Sequence, residues 1–265
     1  MLKKLYRYEF YSLFRSLLPI YGAALGFALL SRLTYLFDFD NLAFSIISGM
    51  VTTVYVFSII AVAIIGIVVV VVRFYRNLLK EEGYLTFSLP FTPTQHILCK
   101  LICGFVVILL DAAVVILSLF LLGVGTDVLP MLWNTFKEML SSVLEYTGTS
   151  QLIVTVIEIA LMAICSVIQS ILMFYASIAI GQQFKSRVGG AVVAYIALYA
   201  AVQTVNSVLL LLVTAVNINR LEMFFENGVQ GVQLTLLFPL LESIVLSVVY
   251  FCITRHFLTQ KLNLE

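Results

Sequence analysis

The first residues already carry a helical pattern. Leu2, Leu5, Tyr6, Phe10, Leu13, Phe14 and Leu17 recur at three- and four-residue spacing, with Lys3, Lys4, Arg7 and Arg15 on the other side. Residues 2–17 therefore predict a basic amphipathic helix suited to the headgroup layer, or else an extension of the first span. Six apolar stretches follow, at 17–37, 44–72, 97–124, 152–181, 188–216 and 234–254. Each is long enough to cross about 30 Å of hydrocarbon at about 1.5 Å per residue. Between the third and fourth spans, in the connection 125–151, Leu129, Leu132, Trp133, Phe136, Leu140, Val143 and Leu144 line one helical face. That pattern predicts a further amphipathic helix, with the chain's only tryptophan at headgroup level.

Charge orients these elements. Lys3, Lys4, Arg7 and Arg15 precede the first span; Arg73, Arg76, Lys80 and Lys100 flank the connection after the second; Lys185 and Arg187 follow the fourth; Arg255 and Lys261 follow the sixth. The alternate connections hold Asp38, Asp40, Asp127, Glu138, Glu145, Glu222 and Glu226. Positive charge stays on the cytoplasmic side of a membrane, so both termini are expected there.

Composition agrees: 62% of residues are hydrophobic, 11% are charged, and mean hydropathy is +1.09. A soluble domain has about 45–50% apolar and about 25% charged residues. The expected fold class is an all-α polytopic membrane protein, a single domain over 1–265, with six transmembrane helices and an N-terminal amphipathic helix. The net charge of +1 gives no reason to expect a nucleic-acid partner. Cys99, Cys103, Cys165 and Cys252 lie in or beside apolar stretches, where free thiols pack as small hydrophobes.

The connection 73–96 is the most informative segment. The second helix is expected to run to about Glu82, with Gly83 at the left-handed position beyond its end. Thr92, Pro93 and Gln95 read as an N-cap, a proline at the first helical position and the glutamine of a capping box. Between them Tyr84 to Leu89 is apolar and is closed by Pro90. An apolar, capped connector projecting into water needs a cover, either the lipid surface or a groove on another protein.

The run RFYRNLLKEEGYLTFSLPFTPTQHILCKL resembles the cytoplasmic loop of permease subunits of ATP-binding-cassette exporters, of the second exporter class in the form common in Gram-positive bacteria. Glu82-Gly83-Tyr84-Leu85-Thr86, Leu89-Pro90 and Lys100 are the core of that likeness. It implies pairing with a second permease, identical or related, and docking of separate ATP-binding subunits. It also implies a coupling segment that includes Glu81, Glu82, Gly83, Tyr84, Leu85, Thr86, Leu89 and Pro90, with Gln182 to Arg187 as a second contact.

The remaining chemistry is sparse. No P-loop is present, because Gly181-Gln182-Gln183-Phe184-Lys185-Ser186 lacks the second glycine. The only histidines, His96 and His256, sit at span ends, so neither a zinc hydrolase nor a serine–histidine dyad is expected. No cofactor and no metal is expected. Three acids, Asp111, Glu158 and Glu242, fall within spans. A charge in hydrocarbon costs about 2.5–3.5 kcal/mol on insertion scales. They either line a translocation path or bond between helices. Gln169, Gln203 and Asn206 are further polar candidates, and Gly189-Gly190 with the alanines after it permits close helix approach. The function expected is export of an amphipathic or hydrophobic substrate (a peptide antibiotic, drug or lipid) across the cell membrane. The alternatives are a non-transporting interaction or assembly protein and an ion-coupled carrier.

Overall fold

A computed structural model describes residues 2–37, 42–79, 92–126, 128–147, 149–226 and 229–260. Among the described residues the protein is helical with no strand. The helices are α1 (Leu2–Leu36), α2 (Leu42–Leu79), α3 (Pro93–Gly123), α4 (Val128–Thr147), α5 (Thr149–Gly181), α6 (Arg187–Glu226) and α7 (Val229–Gln260). All except α4 contain a stretch long and apolar enough to cross a membrane. The chain is a multi-pass membrane protein.

Several elements exceed the expected spans. The amphipathic segment 2–17 and the first span are one continuous 35-residue helix, which passes through Pro19 without a break. A proline inside a helix removes one backbone hydrogen bond, and packing on both sides of it offsets that loss. Leu17 and Tyr21 supply such packing, being 1% and 7% exposed. The helix start predicted at Pro93 is realised: Thr92 N–H donates to Gln95 Oε1 at 3.0 Å, and Gln95 N–H donates back to Thr92 Oγ1 at 3.4 Å. The end expected near Glu82 lies outside the described residues.

The chain divides into two compact units. The first comprises residues 1–73 and 98–139, the second 74–97 and 140–265. In the first, α1 turns Glu9, Leu13, Leu17, Tyr21, Ala24, Ala28 and Ser31 inward. Their three- and four-residue spacing is that of one helix face. In the second, α5 packs against both α6 and α7. Phe74 and Tyr175 stack there at 3.8 Å between ring centroids, and Phe174 and Tyr195 at 4.9 Å. Gly181 and Gly190 allow close approaches there: a Cβ on Gly181 would come within 2.5 Å of the Ala191 backbone nitrogen, and one on Gly190 within 2.6 Å of the Phe184 side chain. The outward surface is apolar; α2 alone exposes Ile46, Met50, Phe57, Ile60 and Ile64. A surface of that kind suits lipid as its solvent.

Between α3 and α4 the chain turns at Gly125, whose φ of +74° is a conformation that glycine adopts without strain. A helix does form over the segment that was expected to be amphipathic. Leu132, Trp133 and Phe136 are exposed on it, Trp133 and Phe136 stack at 6.0 Å, and the Lys137 ammonium lies 5.4 Å above the Trp133 ring.

Candidate functional site

Polar groups tie α1, α2 and α3 together at successive depths. At the end from which residues 80–91 depart, the Glu9 carboxylate receives two cations. Lys100 Nζ donates to Oε1 at 2.7 Å, Arg73 Nε donates to Oε1 at 3.0 Å, and an Arg73 terminal nitrogen donates to Oε2 at 3.4 Å. Glu9 and Lys100 side chains are each 7% exposed and Arg73 is 20% exposed. Charges so far from water persist only when paired and hydrogen-bonded.

About 18 Å further along α1, at about 1.5 Å per residue, the Tyr21 hydroxyl donates to Asp111 Oδ1 at 2.6 Å. The Asp111 carboxylate lies directly against the α-carbon of Gly66, in the space that a side chain there would fill. Three helices thus meet at one carboxylate. Towards the far end, Tyr55 and Ser118 share a hydrogen bond at 3.2 Å, and Ser31 and Thr52 share one at 3.3 Å. The Arg32 guanidinium packs against Gly125.

Of the three acids expected to line a path, Asp111 belongs to this first unit, where it is 6% exposed. Glu158 and Glu242 belong to the second, on α5 and α7, and both are half-buried. The Glu158 Oε2 atom is buried with no hydrogen-bond partner. Glu242 lies within electrostatic range of Tyr250, whose own buried hydroxyl has no partner either. Gln169 and Asn206 are half-buried, and Gln203 is exposed. In the turn from α5 to α6, where a second contact was expected, Gln183 and Phe184 donate to the carbonyls of Ile180 and Gly181. Both amide atoms of Gln182 are buried there without partners, while Lys185 and Ser186 are exposed.

The coupling residues Glu81, Glu82, Gly83, Tyr84, Leu85, Thr86, Leu89 and Pro90 lie outside the described residues. The helix ends that bound them do not, and the capping box and the ion cluster stand there. Among the described residues no three His, Cys, Asp or Glu side chains converge as a metal site. Cys99 and Cys103 are buried one turn apart on α3, with Cys103 Sγ 3.9 Å from the Tyr6 carbonyl.

Glu9 is the residue that sequence reasoning passed over. A signal was present: Glu9 falls three residues after Tyr6 and four before Leu13, on the apolar stripe rather than among the exposed lysines. An acid on an inward stripe requires cations from elsewhere. Arg73 and Lys100, which flank the connection 73–96 and enter the charge pattern that sets orientation, both reach the Glu9 carboxylate within the unit. Compared with family models, curated proteins and solved structures, the chain matches none.

Proposed function

We propose that this chain is the membrane-spanning permease subunit of an ATP-binding-cassette exporter, seated in the cell membrane with both termini cytoplasmic. The observation that carries the reading is the run from Arg73 to Leu101, which resembles the coupling loop of such permeases and joins two long membrane helices, α2 and α3. Positive charge on the connections that would face the cytoplasm supports the orientation. In this reading ATP is hydrolysed by separate subunits that grip the segment from Glu81 to Pro90. A second permease, identical or related, completes the path. Glu158 and Glu242 face the path for an amphipathic or hydrophobic substrate. Asp111, held by Tyr21, acts mainly by joining helices.

The test is capture of the tagged chain from detergent-solubilised native membranes, with partners identified by mass spectrometry. A variant with Glu82, Tyr84 and Leu85 changed to Ala is run beside it. An ATP-binding subunit that comes with the wild type and is depleted with the variant supports the reading. Equal recovery with both moves the contact elsewhere on the chain. Recovery with neither replaces the exporter reading with that of a membrane interaction protein.

A further inference from the structure

We infer that Glu9 is a positioning residue for energy coupling: it ties α1 to the two helix ends that bound residues 80–91, so that α1 follows any displacement of that segment. The inference rests on the exporter reading. Its basis is the placement of the ion cluster. Arg73 lies seven residues before residue 80, and Lys100 nine after residue 91, which at about 1.5 Å per residue puts each within about 14 Å of the segment along its helix. Both cations reach the same carboxylate, at 2.7 and 3.0 Å to Oε1. The division of the chain falls at the same place, between Arg73 and Phe74 on α2 and between Ile97 and Leu98 on α3. Glu9 thus holds both strands of the chain just inside the points where they leave the first unit.

An apolar contact in this position would pack the helices at lower cost, because desolvating ions is expensive. Apolar surfaces slide over one another, whereas a carboxylate held by two cations has one favourable register. A joint with one register passes a displacement on; a greasy one absorbs it. The nearby contact of Cys103 with the Tyr6 carbonyl, at 3.9 Å, is too weak to do this by itself.

The experiment uses the complex of the full chain with its ATP-binding subunit, in lipid vesicles. An environment-sensitive fluorophore is attached to a cysteine placed at Tyr8 on α1 or at Leu98 on α3, which are 73% and 40% exposed. Cys165 and Cys252 are replaced by Ala, while Cys99 and Cys103 are buried and stay. The signal is the fluorescence change on adding ATP and vanadate. Glu9→Gln is expected to lower the change at position 8 about threefold or more while sparing that at position 98. The swapped pair Glu9→Lys with Lys100→Glu is expected to regain it.

A position-8 change that survives Glu9→Gln, or that is absent in the wild-type complex, overturns the inference and leaves the exporter reading standing. Equal loss at both positions marks a merely structural role and also overturns it. If Glu9→Gln fails to assemble, the swapped pair decides: a wild-type response at position 8 supports the inference and a lost one overturns it. A wild-type chain that recovers no ATP-binding subunit overturns the exporter reading, and the inference with it.

Discussion

Lys100 and Glu9, 91 residues apart in the chain, meet at 2.7 Å in a site almost closed to water. Arg73 joins them from α2, 64 residues from Glu9. Among the described residues, two cations share the one Glu9 carboxylate, so the members are not equivalent. Glu9→Ala removes the carboxylate that both cations reach and is expected to destabilise the first unit by about 3–5 kcal/mol. Lys100→Met keeps the Arg73–Glu9 pair and should cost clearly less. Thermal melting of the purified variants in detergent checks the order; equal losses would contradict it.

At Asp111 the hydrogen bond and the steric contact can be separated. Tyr21→Phe removes the hydroxyl that donates to Oδ1 and should cost about 0.6–2 kcal/mol, the range for bonds between membrane helices. Asp111→Asn keeps an oxygen to accept from Tyr21 and should be milder. Gly66→Ala would drive a methyl group into the carboxylate, an overpacking expected to cost about 1–3 kcal/mol. Combining it with Asp111→Ala should recover much of that loss. A double-mutant cycle on melting temperature gives the coupling, and simple additivity would show that the contact is absent.

The glycines divide sharply by position. Gly181→Ala meets the backbone of Ala191, which cannot rotate away, whereas Gly26→Ala enters open space. Yield and melting temperature should fall for the first. For the second they should hold or rise slightly, since alanine favours a helix by about 1 kcal/mol over glycine.

Thr92→Ala removes the side-chain acceptor for the Gln95 N–H. The loss is expected to be about 1 kcal/mol, confined to the first turn of α3. Hydrogen exchange should quicken over residues 94–97 and stay unchanged further along the helix.

Because Trp133 is the only tryptophan, tryptophan emission excited selectively, beyond the absorption of the tyrosines, reports on α4 alone. A helix lying at the membrane surface predicts strong quenching by lipids brominated close to the headgroup and weak quenching by lipids brominated at the chain ends. The reverse order would place α4 deep in hydrocarbon.

What the sequence determined by itself was what neighbouring residues decide among themselves. Apolar runs of sufficient length specify membrane helices, because every backbone group must be satisfied within the segment. The start of α3 at Thr92, Pro93 and Gln95 was legible because a capping box closes across three residues. The helix over Leu129 to Leu144 was legible from its periodicity. Partners could not be read in the same way. Nothing near Glu9 announces Arg73 or Lys100, and nothing near Asp111 announces Tyr21 or Gly66. Those meetings depend on how each helix is rotated and how deep it sits, which only packing sets. For the same reason the sequence showed Arg73 and Lys100 only as charges flanking the connection 73–96, and packing showed that α1 brings a carboxylate to both. Length and polarity are local quantities that add along a chain, whereas ion pairing in a dry interior depends on a few ångströms of distance between residues far apart in sequence.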